Sequence, residues 1–184
     1  MTKQEEFLFK SMDAISEKGW CLEAFEHPEF ELIFPDGLFH AATVYFEWTL
    51  KETFCELEKK DINELKTFAK IRLALMTRFG VLSPYKKAEK ALFYYLLKNL
   101  KGPGFLYKII DKIWFWAGDK SLDHNFYTKR ALLAGVYTST FFTFLEDTSE
   151  DLIKTQEKLD QRLAQVGQIP KFKEKLKSFL RFRS

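Results

Sequence analysis

Residues 38–82, LFHAATVYFEWTLKETFCELEKKDINELKTFAKIRLALMTRFGVL, decide the class of this fold. In the first half, apolar side chains recur at steps of four, four and three, at Phe46, Leu50, Phe54 and Leu57. In the second half they recur in the same way, at Phe68, Ile71, Leu75, Phe79 and Leu82. Because residues three and four apart share one face of an α-helix, the stretch predicts two amphipathic helices, over about Leu38–Lys59 and Ile62–Leu82.

The rest of the chain has the same helical character on both sides of this stretch. Helices are predicted over about Thr2–Lys18, Ser83–Leu100, Phe105–Ala117, Asp123–Leu145 and Ser149–Val166. Turn signals separate them at Gly19, Phe34-Pro35-Asp36-Gly37, Gly102-Pro103-Gly104 and Gly167. No stretch keeps a period of two, so we predict an all-α fold of about nine or ten helices.

The composition indicates a core built from aromatic rings. Hydrophobic residues make up 46% of the 184 residues, which excludes a disordered chain, and 20 of them are Phe. A core of this kind can be close-packed, or it can line a cavity for a flexible apolar ligand.

Charge is unevenly placed along the chain. The net charge is only +3, yet the last fifteen residues contain six bases and one acid. On a helical projection Ile169, Phe172, Leu176, Phe179 and Leu180 share one face, and the bases lie outside it. This pattern predicts an interfacial membrane helix with contacts at Lys171, Phe172, Lys173, Lys175, Leu176, Lys177, Phe179, Leu180 and Arg181. The alternative is that the same apolar face docks on the protein's own body.

The sequence predicts a cytoplasmic location with membrane contact at the surface only. Cys21 and Cys55 form no paired framework, the first residues do not resemble a leader peptide, and the longest uncharged apolar run is Ala131–Leu145. That run is shorter than the roughly 18–20 residues needed to span a bilayer. The membrane would be the bacterial inner membrane, or its mitochondrial equivalent facing the matrix in a eukaryote.

Enzymatic chemistry is not expected. The three histidines, His27, His40 and His124, are widely spaced, and no metal-ligand pair or glycine-rich phosphate loop occurs. We predict no catalytic residue, no metal and no cofactor.

The N-terminal third is poorly suited to bind DNA. Short helices before a larger helical body are typical of TetR-type regulators, whose reading head contacts phosphates through Lys and Arg. Between Gly19 and Leu50 there is no Lys or Arg, but there are six acids, at Glu23, Glu26, Glu29, Glu31, Asp36 and Glu47. We therefore expect a degenerate helix-turn-helix module that does not bind DNA.

Two neighbouring motifs carry a resemblance to a known family. They are DKIWFWAGD at residues 111–119 and SLDHNFYTKRALLAGVY at residues 121–137. They are similar to the D-x-x-W-x-x-A-G-D and T-D-x-N-W-Y-T-[KR]-R-x-x-L blocks of TetR-fold accessory proteins of coenzyme Q biosynthesis, the "coenzyme-Q nine" family, and the chain resembles a bacterial member. Phe126 stands where Trp is usual, and Leu122 stands where Thr is usual.

The resemblance implies a TetR-regulator-like homodimer that has lost DNA binding, binds an isoprenoid or phospholipid-like ligand, and supports the di-iron demethoxyubiquinone hydroxylase. The family's hydroxylase-contact patch falls on Ile113, Trp114, Asp123, Asn125, Phe126, Tyr127 and Arg130. Trp114 and Trp116 face about 200° apart on a helix, so one can be buried while the other is exposed.

TetR-like folds place their ligand cavity and dimer seam near the apolar helix that follows. Ala131, Gly135 and Ser139 recur every four residues and would let another helix approach closely. A close-packed core is the alternative to a cavity here. We expect an apolar tunnel lined by Leu92, Phe93, Leu96, Leu97, Leu106, Ile110, Leu133, Val136, Tyr137 and Phe141.

Two charges beside this helix have predicted structural roles. Asp123 stands at the helix start, where a carboxylate can cap backbone N–H groups. Arg130 lies near the start of an apolar helix, where its charge needs a carboxylate partner, and Asp119 is the candidate.

The sequence thus predicts three segments, 1–60 as the degenerate module, 61–167 as the ligand-binding and dimerisation body, and 168–184 as the membrane helix. The functional hypothesis is an accessory protein that presents an isoprenoid quinone precursor to the hydroxylase at the membrane. The alternatives are a TetR-type transcriptional regulator that senses a lipid-like ligand, and a purely structural dimeric scaffold.

Overall fold

A computed structural model describes the backbone of residues 2–119 and 124–181, and the side chains of residues 2–119 and 126–167. Within these ranges the regular structure is entirely helical, which confirms the predicted all-α class and is consistent with a TetR-like fold. The chain forms two compact units, Met1–Lys120 and Ser121–Ser184. The boundary between them differs from the boundaries that the sequence suggested at residues 60 and 167.

The first unit contains six α-helices within its described residues. They are α1 (Lys3–Lys18), α2 (Phe30–Ile33), α3 (Gly37–Glu58), α4 (Thr67–Leu82), α5 (Lys86–Lys98) and α6 (Gly102–Trp116). Helix α3 packs against α1 and α4, α1 packs against α5, and α6 packs against α4 and α5. Short 3-10 turns at Leu22–Phe25 and Ser83–Tyr85 complete the unit.

The start of α1 and the buried face of α3 follow directly from local sequence. Thr2 caps α1 in a capping box, in which its hydroxyl accepts from the Glu5 amide and the Glu5 carboxylate accepts from the Thr2 amide. In α3 the predicted residues Phe46, Leu50 and Leu57 are buried, which confirms the periodicity that defined this helix.

Helix α4 begins five residues later than the apolar spacing predicted. Asp61 accepts a 3.1 Å hydrogen bond from the Asn63 amide, and the Leu65 amide donates to the Ile62 carbonyl. These local bonds occupy the backbone in a turn, so the helix starts only at Thr67.

The second unit contains α7 (His124–Glu146), a 3-10 turn at Glu150–Leu152, and α8 (Ile153–Arg181), with α7 packed against α8. The prediction that Gly167 ends a helix is wrong, since α8 continues through it to Arg181. Gly19 and Gly118 end α1 and α6 with positive φ angles, and Gly167 does not adopt a positive φ. None of the described helices combines the length and apolar character required to cross a bilayer.

A buried aspartate organises the turn between α7 and α8. The Asp147 carboxylate accepts hydrogen bonds from the amide and hydroxyl of Ser149 and from the amide and hydroxyl of Thr155. Burial alone would raise the pKa of Asp147, but these bonds outweigh it and hold the pKa well below its usual range. Asp147 thus acts as a capping acceptor for the first turn of α8.

Candidate functional site

The end of α6 presents an aromatic side chain to solvent, but not the one that the motif suggested. Ile113 is fully buried and Trp114 is buried, whereas Phe115 between the two tryptophans is 81% exposed. Trp116 is partly exposed. On α6 the exposed side chain is thus Phe115 and not the predicted Ile113 or Trp114, because successive helical residues are about 100° apart around the axis.

The start of α7 carries the second part of the predicted partner surface. Tyr127 is exposed, and Phe126 is partly exposed and meets the Tyr127 ring edge-on at 5.1 Å. Asp123 and the side chain of Asn125 lie outside the described residues. Among the described side chains of the predicted patch on α7, Tyr127 is the most exposed.

Arg130 is buried one turn into α7. Its guanidinium carbon lies 3.3 Å from the centroid of the Phe126 ring, and its Nη1 donates to the Phe126 carbonyl at 3.3 Å. Stacking on an aromatic face offsets part of the cost of burying this charge. The ion pair with Asp119 stays a prediction.

The predicted tunnel residues of the first unit fall into three groups. Leu92, Leu96 and Ile110 are buried, and Phe93 and Leu106 are partly exposed. Leu97 is exposed and lies on the surface of α5. The buried members can line an apolar interior, but Leu97 does not belong to it.

The predicted tunnel residues of the second unit are all buried, namely Leu133, Val136, Tyr137 and Phe141. The rings of Tyr137 and Phe141 stack at 5.9 Å, and Phe144 follows at 6.1 Å from Phe141. Ala131 and Gly135 are exposed, so the small residues of α7 occupy a different face from this aromatic row.

A groove of about 480 Å³ lies in the first unit beside α1. Its floor includes Phe7, Phe25 and Ile33, and its rim carries the ion pairs Lys3–Glu29 at 3.1 Å and Lys18–Glu26 at 3.4 Å. None of the ten predicted tunnel residues lines this groove. Its mixed charged rim differs from the apolar lining expected for a long isoprenoid chain.

A polar cluster in the core of the first unit was missed by sequence reasoning. The Tyr45 hydroxyl of α3 donates to the Glu89 carboxylate of α5 at 2.7 Å, and both residues are buried. Burial raises the pKa of Glu89, while the charge of buried Arg78 and the Tyr45 hydrogen bond oppose that rise. A signal was present, because Glu89 lies three and seven residues before Leu92 and Leu96 on the apolar face of α5.

Among the described residues, no group of three or more His, Cys, Asp or Glu side chains could hold a metal ion.

For the C-terminal segment, the backbone of residues 168–181 is helical, as the membrane prediction requires. The side chains from Lys171 to Arg181 that were predicted to bind the membrane lie outside the described residues.

Comparison with known proteins shows similarity to one family. Residues 102–170, which include α6 and α7, match the family model described as COQ9. The chain is 39% identical over 101 residues to the rat protein named "Ubiquinone biosynthesis protein COQ9, mitochondrial", covering 53% of this chain and 32% of that protein. It is 28% identical over 185 residues to the Dictyostelium discoideum protein named "Probable ubiquinone biosynthesis protein coq9, mitochondrial", covering 90% of this chain and 60% of that protein. The match thus spans about a third of the rat protein and three fifths of the Dictyostelium protein.

Proposed function

From the match of residues 102–170 to the COQ9 family model and the similarity to the rat protein, we propose that this chain is a lipid-binding accessory protein of ubiquinone biosynthesis. The ligand would be an isoprenoid quinone precursor, which the protein presents to the di-iron demethoxyubiquinone hydroxylase at a membrane surface. The observation that carries the proposal is the family match itself, since the matched segment contains the exposed Phe115 and Tyr127.

The hydroxylase contact is proposed for the exposed aromatics of the matched segment. Phe115 on α6 and Tyr127 on α7 each present a ring to solvent. Rings of this kind anchor protein interfaces because they remove a large apolar area from water at a small cost in side-chain entropy. Arg130, stacked on Phe126, would hold the start of α7 in place for this contact.

The lipid ligand is proposed to lie along the aromatic row of α7. Leu133, Val136, Tyr137 and Phe141 are buried apolar side chains that would line an internal cavity for the ligand, and the transfer of each methylene of an isoprenoid chain from water is worth about 0.8 kcal/mol. The exposed small residues Ala131 and Gly135 leave another face of α7 for the proposed homodimer.

Membrane attachment is proposed for the C-terminal part of α8. The helical backbone of residues 168–181 supports the projection that places Phe172, Leu176, Phe179 and Leu180 on one face. Each nearby base would add on the order of 1 kcal/mol at an anionic surface.

The alternative of a lipid-sensing transcriptional regulator has less support. In the segment where a recognition helix is expected, α2 has only four residues, and Glu23, Glu26, Glu29 and Glu31 are exposed. An acidic surface of this kind repels DNA phosphates. A gel-shift assay at physiological salt would reveal a regulator by retarding a DNA fragment.

Native mass spectrometry with lipid extraction tests the proposal. The purified protein is expected to carry an adduct whose mass matches an isoprenoid lipid recovered in the extract. A spectrum with only the polypeptide mass, together with an extract free of isoprenoids, would overturn it and favour a structural scaffold.

A further inference from the structure

Helix α5 ends in a turn in which glycine is the most common residue. The Leu100 amide donates to the Leu97 carbonyl at 3.2 Å, and the Lys101 amide donates to the Leu96 carbonyl at 3.0 Å. This pair of bonds defines a Schellman motif, in which the residue at the position of Leu100 adopts the left-handed conformation. Leu100 does so with φ of 54°.

The same chain uses glycine at the matching position of α6. There the Gly118 amide donates to the Phe115 carbonyl, the Asp119 amide donates to the Trp114 carbonyl, and Gly118 has φ of 87°. A side chain with a Cβ is strained in this conformation, whereas glycine is not. Leu100 therefore strains the backbone at a position that glycine would occupy without strain.

The strained leucine does not contribute to the core, since its side chain is 85% exposed. Tyr94 and Leu97 on α5 and Tyr107 on α6 are each more than half exposed. Tyr94 and Leu97 lie three residues apart on one face of α5, which leads directly to Leu100. The turn thus ends a row of exposed apolar and amphipathic side chains, which soluble surfaces normally avoid.

The segment that contains this turn carries charges of one sign along its sequence. Residues 90–110 contain Lys90, Lys98, Lys101 and Lys108, but no Asp or Glu. Lys108 pairs with Glu47 of α3 at 3.2 Å, and the Lys101 ammonium lies 5.0 Å from the Phe39 ring centroid. Lys101, the residue after Leu100, is thus held beside the turn and keeps positive charge close to its exposed leucines, whereas the charge of Lys108 is compensated by Glu47.

We propose that this corner, defined by Tyr94, Leu97, Lys98, Leu100, Lys101 and Tyr107, inserts into the surface of an anionic bilayer. Leucines would enter the acyl boundary, tyrosines would lie at the headgroup level, and lysines would meet anionic headgroups. The inference rests on the membrane role in the proposed function, but it adds a contact in the first unit that does not depend on the C-terminal segment.

The test measures binding of the full-length protein to phosphatidylcholine vesicles with and without phosphatidylglycerol. Leu100→Asn keeps a residue that tolerates the left-handed conformation but removes the apolar side chain. We expect it to weaken binding to the anionic vesicles about tenfold. Leu100→Gly is expected to weaken binding as much while raising the melting temperature, because it relieves the backbone strain.

Leu32→Asn is the matched control, because Leu32 is 79% exposed but lies among acidic residues on α2. Its vesicle binding should be unchanged. Unchanged binding in both Leu100 variants would overturn the inference. So would a shift in sedimentation velocity showing that Leu100→Asn dissolves a dimer, because the corner would then be an interface between copies.

Charge reversal of the C-terminal segment separates this inference from the proposed function. The full-length triple variant Lys171→Glu, Lys175→Glu, Lys177→Glu removes the tail's attraction to anionic lipid. If only this triple variant loses vesicle binding, the C-terminal contact is supported and the proposed insertion of the corner is wrong. If only the Leu100 variants lose vesicle binding, insertion of the corner is supported and the C-terminal contact is wrong. Loss of binding in both sets supports two membrane contacts.

Discussion

The carboxylate of Asp147, at the end of α7, accepts hydrogen bonds of 2.8 Å from the amide and 2.6 Å from the hydroxyl of Thr155, in the first turn of α8. The two residues are eight positions apart, and their contact closes the turn between the two long helices of the second unit. Ser149 completes the set from within the turn.

Stability is expected to depend on the ionisation of Asp147. The pKa of Asp147 is lower in the folded protein than in the unfolded chain, where it is about 3.9. The stabilisation that the ionised carboxylate provides is therefore present above about pH 3.9 and is lost as the pH falls below that value. Asp147→Ala should lower the free energy of unfolding at neutral pH by about 3 kcal/mol. Its loss of stability between about pH 5 and pH 2 should also be smaller than that of the parent protein.

Urea unfolding at a series of pH values measures both effects. Asp151→Asn is the control, since Asp151 is exposed and has a positive φ that Asn tolerates. If Asp147→Ala showed the parent's pH dependence, the proposed linkage would be wrong.

The buried hydrogen bond between Tyr45 and Glu89 makes a second prediction. Tyr45→Phe keeps the ring but leaves the Glu89 carboxylate without this donor, so the free energy of unfolding should fall by about 1–3 kcal/mol. Tyr85→Phe is the matched control, because Tyr85 is only partly buried beside the same aromatic rings. Denaturant unfolding at neutral pH compares them, and equal stabilities of the two variants would contradict the prediction.

The contact between Arg130 and Phe126 can be measured by a double-mutant cycle. Arg130→Lys removes the planar guanidinium, and Phe126→Leu removes the ring on which it stacks. We expect a coupling free energy of about 1 kcal/mol between the two changes. Strictly additive effects would show that the stack does not contribute to stability.

Partner binding is expected to depend on the exposed aromatics. Phe115→Ser and Tyr127→Ser should each reduce co-purification with the di-iron hydroxylase about tenfold, with little change in melting temperature, because both side chains are exposed. Phe68→Ser serves as the control, since Phe68 is also exposed but lies on α4. A loss of hydroxylase in the Phe68 variant as large as in the other two would point to a non-specific effect of removing a surface ring.

The buried apolar side chains of α7 yield a prediction that distinguishes a ligand cavity from a close-packed core. Val136→Phe should displace the co-purified isoprenoid lipid while changing the free energy of unfolding by less than about 1 kcal/mol, because a cavity can accept the added volume. In a close-packed core the same change would cost about 1–3 kcal/mol. Gly80→Ala on α4 is the control, because a Cβ at this exposed helical position meets no atom within 4 Å and should leave lipid content unaltered.

Local sequence determined the helices and many of their ends. Apolar spacing in residues 38–82 predicted α3 and most of α4, because helical periodicity depends on residues close in sequence. The capping box of Thr2 and Glu5 at the start of α1 is local in the same sense. The motifs around Trp114 and Tyr127 were also sufficient to predict the similarity to the COQ9 family. A family resemblance depends on the pattern of residues along the chain, which can be recognised without knowledge of the tertiary contacts.

Tertiary structure decided which side chains each helix buries and which it exposes. Spacing alone indicated that one of Trp114 and Trp116 can be buried and the other exposed, but not which. The packing of α6 buries Trp114, leaves Trp116 partly exposed and exposes Phe115. Sequence spacing likewise could not predict the hydrogen bond between Tyr45 and Glu89, which are 44 residues apart. Nor could it foresee Leu100 in a left-handed turn, because a helix end of this kind is set by how the chain must leave α5 to pack α6 beside it. The sequence alone thus determined the helical class and the family resemblance, while the choice of exposed and paired residues depended on contacts between distant segments.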